Sequence, residues 1–210
     1  MGQMQLDGSA AALVPERPTL PKLRDAAAGC KACPLWETGT QTVFGEGAAH
    51  ADVVFVGEQP GDQEDVQGRP FVGPAGKLLD QAMEEAGIDR TKAYVTNVVK
   101  HFKWQARGKR RIHQKPNWAE IAACRPWLDA ELAVLKPRVL VCLGATAAQA
   151  LLGRQFRVSR QRGELIESPL AERVTATVHP SSILRADPET RESEYREFVR
   201  DLEKVAELIG

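Results

Sequence analysis

The 210-residue sequence lacks any apolar stretch that approaches the roughly 18 residues of a membrane-spanning helix. The segment that follows Met1 also lacks a basic region leading into an apolar core, so the sequence does not predict export. We therefore expect a cytoplasmic protein. Cysteine is scarce, with four residues in the chain, and the reducing cytoplasm disfavours disulfides. The cysteines are thus expected to ligate a metal, to perform redox chemistry or to be buried.

The chain has no excess of charge of either sign, because 28 basic residues balance 28 acidic ones. Overall electrostatics therefore predict no partner. One segment departs from this balance: residues 100–115 (KHFKWQARGKRRIHQK) contain seven Lys or Arg and no acid. We call it the basic segment. A cationic stretch of this length that directly follows a strand-like run indicates a loop facing a polyanion such as DNA.

Four short runs of β-branched and other apolar residues predict the strands of one sheet. Their nearly continuous apolar character indicates strands covered on both faces; they comprise residues 52–57, 93–99, 138–144 and 173–178. Helical patterns occur at residues 76–86, 118–135, 145–152 and about 188–208. This alternation predicts an α/β three-layer sandwich with a central four-stranded parallel sheet flanked by helices. The length suits a single domain, which we place at residues 20–210 behind a loosely held arm at residues 1–19.

Unusual polar clusters follow several of these strands, at the edge where open parallel sheets bind ligands. Residues 57–65 (GEQPGDQED) form either a solvated acidic loop or, because glycine lets the backbone approach a ligand closely, the wall of a pocket. The nearby Phe71 is either a stacking face for a flat base or a core residue. Residues 179–185 (HPSSILR) supply hydroxyls, amides and an arginine that suit phosphate, although a His-Pro turn by itself is usually structural.

Cys30 and Cys33 have the two-residue spacing that lets two thiolates reach one metal. A redox pair of the thioredoxin kind is the alternative, but that motif follows a strand and opens a helix, whereas this one follows a short helix. Cys142, in an apolar strand, is expected to be a small core residue. By elimination, His101 and the mid-helix Cys124 complete a set of four ligands, for which zinc and an iron–sulfur cluster both fit.

His113 lies within the basic segment, next to Arg110 and Arg111. It either contacts phosphate, as expected of a histidine among arginines, or acts as a nucleophile, since neutral imidazole is competent for that role. The residues alone leave both roles open.

Four motifs together resemble the uracil-DNA glycosylase superfamily, specifically its iron–sulfur branch. They are the turn GEQPGDQED, the segment GRPFVGPAGKLL, the strand YVTNVVK and the HPSS motif, which lie in the family's order between about Cys30 and Arg185. The resemblance implies the α/β fold of that superfamily and a pocket for a flipped uracil at the sheet edge. It implies that Phe71 stacks on uracil, Asn97 hydrogen-bonds its edge, and His179 contacts a carbonyl oxygen. Further predicted substrate contacts are Gly57, Gln59 and Asp62, and the predicted DNA contacts are Lys109, Arg110, Arg111, Ser181, Ser182 and Arg185.

Two features depart from the usual iron–sulfur glycosylases and resemble the UdgX type, which forms a permanent covalent bond to uracil-containing DNA. His101 stands where those enzymes have cysteine, and GKRRIHQKP forms an inserted segment. The resemblance implies that His113 attacks C1′ of the sugar. It also implies a [4Fe-4S] cluster held by three cysteines and one histidine, here Cys30, Cys33, Cys124 and His101. Glu58 then either stabilises the sugar cation or orients His113.

The sequence therefore predicts a monomeric uracil-DNA glycosylase of base-excision DNA repair, trapped on its product after one turnover. Single-stranded DNA is the expected preference, because extruding a base from a duplex costs free energy. Two alternatives stay open. One is a multiple-turnover iron–sulfur glycosylase in which His113 only contacts DNA, and the other is a noncatalytic zinc-stabilised nucleic-acid-binding module.

Overall fold

The structure is a computed structural model that describes residues 8–210. The first seven residues of the predicted arm lie outside this range. Within the arm, a 3-10 helix at Ala10–Leu13 begins after Ser9, whose hydroxyl accepts a hydrogen bond from the Ala11 amide at 3.2 Å. Ala10 is fully buried in the core, so this part of the arm packs on the rest of the protein. The division of the chain into an arm and one domain stays a prediction.

The main sheet has six strands, and its four inner strands are the four that the sequence predicts. The strands of the described residues are, in chain order, β1 (Glu46–Gly47), β2 (Val53–Gly57), β3 (Ala93–Asn97), β4 (Trp104–Arg107), β5 (Arg110–His113), β6 (Val139–Leu143), β7 (Ile166–Ser168) and β8 (Ala171–Thr177). The order across the main sheet is β1-β3-β2-β6-β8-β7, and the four inner strands are parallel. The edge strands β1 and β7 pair antiparallel and have only two and three residues, too few to leave an apolar pattern in the sequence.

Helices cover both faces of this sheet, which confirms the predicted three-layer fold. They are, in chain order, α1 (Leu20–Ala27), α2 (Asp62–Gln67), α3 (Pro74–Glu85), α4 (Trp118–Leu135), α5 (Ala145–Leu152), α6 (Val158–Gln161), α7 (Pro180–Leu184) and α8 (Pro188–Ile209). Alternate side chains of a strand point to opposite faces. Val54 and Val56 therefore join the core formed with α1, α4 and α5, whereas Val53 and Phe55 join the core formed with α3, α7 and α8. Among residues 8–210, every helix is too short or too polar to span a bilayer.

Capping explains why the long helix α4 begins where the sequence predicts. The side-chain oxygen of Asn117 accepts a hydrogen bond from the Glu120 amide at 2.9 Å, and the Glu120 carboxylate accepts one from the Asn117 amide at 2.7 Å. The predicted helices at 118–135 and 145–152 coincide with α4 and α5. Those at 76–86 and 188–208 differ from α3 and α8 by no more than two residues at either end.

The basic segment contains a β-hairpin rather than the predicted loop. β4 and β5 pair antiparallel from Trp104↔His113 to Arg107↔Arg110, which leaves Gly108 and Lys109 as a two-residue turn. Gly108 has a φ of 59°, the left-handed conformation that such a turn requires. Because most of the hairpin is exposed on the surface, its strands need no apolar alternation, and the sequence pattern does not reveal them.

Three cations of the basic segment bind acidic side chains of the same chain, which corrects the prediction that the whole segment faces DNA. The Lys100 ammonium is fully buried against Glu131 of α4. Lys103 Nζ lies 2.9 Å from Glu120 Oε2. Arg111 binds two aspartates of α2. A buried cation requires a partner charge, so the fold uses these side chains to attach the hairpin and the end of β3.

Candidate active site

The carboxyl ends of the inner strands open onto one cavity of about 650 Å³. This is the edge at which the sequence places its polar clusters. The predicted site residues that line the cavity are Glu58, Gln59, Phe71, Asn97, His113, His179, Ser181 and Arg185. The predicted substrate or DNA contacts outside its lining are Gly57, Asp62, Lys109, Arg110, Arg111 and Ser182. The cavity thus gathers all three side chains predicted to be catalytic.

Phe71 forms an aromatic wall of the cavity. Its φ of 56° lies in the left-handed region, which is uncommon for a bulky side chain. The conformation depends on Gly76, because a Cβ there would lie 1.7 Å from the Phe71 carbonyl oxygen. The Phe71 and His179 rings are stacked, with centroids 6.2 Å apart and planes inclined by 26°. Strained backbone next to a cavity is typical of functional sites, which favours a stacking face over a plain core residue.

Asn97 ends β3 and presents an unsatisfied acceptor. The residue is 2% exposed, and within the described residues its Oδ1 has no hydrogen-bond partner. An unpaired buried polar atom costs about 1–3 kcal/mol, so a ligand that donates to it gains this free energy back. Gly57 lies behind the amide rather than in the cavity wall, since a Cβ there would lie 2.4 Å from Asn97 Oδ1 and 2.9 Å from Phe71 Cζ. The lack of a side chain at Gly57 leaves room for Asn97 and Phe71, and its predicted contact with substrate stays a prediction.

His179 lies where β8 leads into α7 and is held as a neutral donor. Its Nδ1 accepts a hydrogen bond from the Ser181 amide at 3.2 Å and lies 2.8 Å from the Ser181 hydroxyl. Burial lowers the pKa of His179 to about 4. Because Nδ1 is an acceptor, the proton of the neutral ring is on Nε2. Ser182 Oγ donates to the His179 carbonyl at 2.8 Å, so this hydroxyl lies in the first turn of α7 outside the cavity lining, and its predicted DNA contact stays a prediction.

Glu58 follows β2 and has a partner on each carboxylate oxygen. Oε1 lies 3.2 Å from His113 Nε2, and Oε2 accepts a hydrogen bond from the Thr146 hydroxyl. Burial raises the pKa of Glu58, but the hydrogen bonds from His113 and Thr146 outweigh it, so the pKa lies below its ordinary value. Sequence reasoning missed Thr146. The available signal was its place in the first turn of the helix that follows β6, at the ligand-binding edge.

Gln59 lines the cavity but uses its side-chain amide to hold the basic segment. Its Nε2 donates to the carbonyl oxygens of Lys103 at 3.1 Å and Gln114 at 3.0 Å. Its Oε1 accepts from the Lys103 amide at 3.1 Å. Lys103 and Gln114 flank the hairpin, so Gln59 ties both of its ends to the loop after β2. The two amide hydrogens are occupied, so this side chain holds the hairpin carrying His113, and its predicted contact with substrate stays a prediction.

Arg111 and Asp62 bind each other, and their predicted roles as DNA and substrate contacts stay predictions. Arg111 Nε lies 2.6 Å from Asp62 Oδ1, and Nη1 lies 2.5 Å from Asp65 Oδ2. Asp65 is fully buried and also accepts a hydrogen bond from the Thr40 amide at 2.9 Å. The guanidinium lies over the Trp104 ring, 5.5 Å from its centroid. With these donors committed to carboxylates, Arg111 holds the hairpin in place.

The hairpin turn and the cavity lining carry five exposed cations. Arg107, Lys109 and Arg110 lie at the hairpin turn, Lys115 follows β5, and Arg185 follows α7. Lys115 and Arg185 line the mouth of the cavity. Cations around an opening attract phosphate without reading sequence. These exposed cations, which are fewer than the cations of the basic segment, form the surface at this edge that suits a nucleic-acid backbone.

The predicted metal ligands lie on the α4 side of the sheet and are all buried. Cys30 Sγ accepts a hydrogen bond from Trp127 Nε1 at 3.3 Å, and Cys124 Sγ accepts one from the Lys100 amide at 3.2 Å. His101 is 5% exposed. Cys142, in β6, is fully buried in the core, as expected of a small core residue.

The pKa values of the cysteine thiols bear on the two predicted metal centres, a zinc ion and an iron–sulfur cluster. Burial raises the pKa of Cys124 to about 12, and the nearby Cys33 and Cys30 thiols add to the rise. Burial likewise raises the pKa of Cys33, with a further contribution from Cys30. Because the three buried thiols disfavour one another's ionisation, thiolates at this place need strong positive charge beside them. A centre that carries several positive charges supplies it. Within residues 8–210, however, no three His, Cys, Asp or Glu side chains are gathered closely enough to hold a single metal ion, so the described residues show no clear metal site, and both predicted centres stay predictions.

The fold and the cavity define the class of the protein, and comparison with known proteins agrees. The sequence profile of the Uracil DNA glycosylase superfamily matches residues 44–203. The chain belongs to this superfamily. The crystal structure of SMUG2 from Pedobacter heparinus has the same fold, with a TM-score of 0.55 and 12% sequence identity over 75% of this chain and 77% of that one.

Curated relatives narrow the class further. A type-4 uracil-DNA glycosylase of Thermotoga maritima is 40% identical over 182 residues, which cover 86% of this chain and 89% of the relative. Enzymes of the same name from Archaeoglobus fulgidus and Sulfurisphaera tokodaii are 37% and 35% identical, over 86% and 90% of this chain and 88% and 84% of their own lengths. The chain is thus similar to type-4 uracil-DNA glycosylases over most of its length.

Proposed function

We propose that this protein is a uracil-DNA glycosylase, which excises uracil from DNA in base-excision repair. The observation that carries the proposal is a cavity lined by Asn97, whose Oδ1 has no hydrogen-bond partner among the described residues, together with Phe71 and His179. Uracil is flat, carries one ring N–H between two carbonyl groups, and so matches a stacking face, an acceptor and a donor. The names of the relatives support the same activity.

The charges in the cavity suit cleavage of the glycosidic bond. As the bond between C1′ and uracil N1 breaks, its electron pair leaves on uracil, and the sugar becomes cation-like. His179, neutral and protonated on Nε2, donates to the uracil carbonyl that gains negative charge. Glu58, whose pKa is lowered by its partners against the effect of burial, is ionised near neutral pH and stabilises the sugar cation.

We propose further that His113 captures the sugar and traps the enzyme. His113 lines the cavity, its side chain is 52% exposed, and its Nε2 is hydrogen-bonded to Glu58. A bond forms between this nitrogen and C1′ as uracil departs with the bonding electron pair, and the imidazole proton passes to Glu58. The product is an uncleaved DNA strand joined to the protein, so each molecule acts once.

The main alternative is an ordinary glycosylase that turns over. In that case water takes the place of His113, and the abasic DNA dissociates. The names of the relatives favour this alternative, whereas the position of His113 at the cavity, held by Glu58, favours trapping.

We propose that Cys30, Cys33, Cys124 and His101 hold a [4Fe-4S] cluster with a structural role. When bound, such a cluster supplies cationic iron that stabilises thiolates. These residues come from the loop after α1, from α4, and from the end of β3. The cluster would fasten to α4 the stretch of chain that carries Asn97 and leads into the basic segment. With the cluster bound, the purified protein should absorb visible light, whereas a zinc protein is colourless.

Denaturing electrophoresis of the protein with a uracil-containing single-stranded oligonucleotide tests these proposals. We expect uracil release together with a protein–DNA band that survives denaturation. His113→Ser should abolish the band while uracil is still released, because water can then reach the sugar. A thymine-containing oligonucleotide is the matched control and should give neither product.

Each other outcome identifies a different alternative. Released uracil with no stable band from the unmodified protein contradicts trapping and supports multiple turnover. Equal affinity for the uracil and thymine strands with no release contradicts the enzyme and supports a noncatalytic binding module. A duplex with the same uracil tests the single-strand preference, which predicts slower release from the duplex.

A further inference from the structure

We propose that Thr146 is a positioning residue that holds one carboxylate oxygen of Glu58 in place while the other oxygen serves the reaction. The inference deepens the proposed glycosylase function and rests on it. The Thr146 hydroxyl, which α5 brings to the cavity, thus has a defined role in the site.

The two oxygens of Glu58 have different kinds of partner. Oε1 faces His113, which must leave it to bond the sugar. Oε2 accepts from the Thr146 hydroxyl, which takes no part in bond formation. When His113 moves, Thr146 is the remaining side-chain hydrogen-bond donor to the carboxylate among the described residues.

The two donors also differ in how firmly they are held. Thr146 is 5% exposed and lies in the first turn of α5, directly after the buried strand β6. The preceding Gly144 has a φ of 88°, and its amide donates to the Thr177 carbonyl of β8 at 2.8 Å. His113 is 52% exposed at the end of a surface hairpin. Thr146 is therefore the fixed attachment of Glu58, and His113 the movable one.

The electrostatic surroundings make this attachment important. Burial raises the pKa of Glu58, and the hydrogen bonds from His113 and Thr146, with the charges of His113 and Lys115, lower it. The other titratable groups at the cavity are His179, which interacts with Glu58, together with Glu64 and Arg185. Without the hydrogen bond from the Thr146 hydroxyl, less remains to counter the rise in pKa caused by burial, so the pKa of Glu58 should rise.

Thr146→Val tests the inference, with Thr146→Ser as its matched control. Valine keeps the shape of threonine without the hydroxyl, and serine keeps the hydroxyl with less packing. Carbon-13 NMR of the glutamate carboxyls, with Glu58→Gln identifying the resonance, follows the titration of Glu58 directly. We expect its midpoint to move to higher pH in Thr146→Val and to stay near that of the unmodified protein in Thr146→Ser. An unchanged midpoint in Thr146→Val overturns the inference.

Single-turnover uracil release across pH supplies a second readout. Glu58 acts as an anion, so the rate falls as pH drops through its pKa, and a raised pKa moves this acid limb to higher pH. We expect Thr146→Val to be slower by roughly tenfold on the plateau, the usual effect of removing a hydrogen bond to a charged group, with a larger deficit on the acid limb. Thr146→Ser should retain most of the rate.

The outcomes separate this inference from the proposed function. Equal losses in the two variants with an unmoved acid limb indicate packing and overturn the positioning role. An unmodified protein that releases no uracil contradicts the proposed function, while the NMR titration still decides whether Thr146 controls Glu58. Thermal unfolding of both variants checks that each is folded.

Discussion

Lys100 and Arg111 belong to the same basic segment and both bind carboxylates, but in different surroundings. The Lys100–Glu131 pair is fully buried, with Glu131 also accepting hydrogen bonds from the Tyr94 hydroxyl at 2.8 Å and from the Thr96 hydroxyl at 3.1 Å. The side chain of Arg111 is 22% exposed, and of its two partners Asp62 is 57% exposed whereas Asp65 is fully buried. The first pair joins β3 to α4 inside the core, and the second fastens a surface hairpin.

The difference shows what each cation contributes. Removing one member of a buried ion pair leaves an uncompensated charge, which is strongly destabilising. The contact of Arg111 with the exposed Asp62 is weakened by solvent and salt and contributes little to global stability, whereas its contact with the buried Asp65 contributes more. Lys100 should therefore have the larger effect on folding, and Arg111 should have the larger effect on where the hairpin holds His113. Three predictions test this contrast.

The largest expected effect is on stability. Glu131→Leu leaves the buried Lys100 ammonium with hydrogen bonds to Thr96 and Asn97 but without a counter-charge, and we expect the free energy of unfolding to fall by about 3–5 kcal/mol. Urea denaturation followed by circular dichroism measures it. The double variant Lys100→Met/Glu131→Leu removes both charges and should regain most of the loss. If it is as unstable as the single variant, packing rather than unpaired charge accounts for the effect.

A change at Arg111 of the hairpin should alter activity more than stability. Arg111→Met removes the contacts to Asp62 and Asp65, so the hairpin no longer holds His113 at a fixed distance from the sugar. Small displacements of a reacting group cost up to about a hundredfold in rate, and we expect a loss of that order in the rate of covalent product formation. The urea midpoint should fall, because Asp65 is left buried without its cation, but by less than in Glu131→Leu, because the Thr40 amide and hydroxyl still donate hydrogen bonds to Asp65. A midpoint lowered as far as in Glu131→Leu, with unchanged trapping, would reverse the roles assigned to Lys100 and Arg111.

The smallest effect is expected at the hairpin turn. Lys109→Gln and Arg110→Gln should each reduce the salt dependence of DNA binding, lowering the slope of log affinity against log salt by about one. Arg111→Met should leave this slope unchanged, because its guanidinium is bound to aspartates. Fluorescence anisotropy with a labelled single-stranded oligonucleotide over a range of salt concentrations makes the measurement. A lower slope for Arg111→Met would mean that Arg111 reaches phosphate after all.

Much of the candidate site was predictable because it lies at strand ends. Asn97 and His179 each follow a run whose continuous apolar character marks a buried parallel strand, and such strands bring their carboxyl ends to one edge. The conformation of the basic segment was less predictable. Its charges indicate a DNA-facing loop, but Gln59 and the α2 aspartates hold it as a hairpin, and local sequence carries no trace of these distant partners.

The sequence by itself determined the four inner strands, the main flanking helices and the edge at which the polar residues meet. Burial on both faces of the sheet requires apolar runs, and caps and helical periodicity are local properties of the chain. Only the tertiary structure decided which cation is buried, which acceptor stays unpaired and which hydroxyl holds Glu58. Those outcomes depend on contacts between residues far apart in the chain, 31 positions for Lys100 and Glu131 and 88 for Glu58 and Thr146. Local patterns carry no information about such pairs.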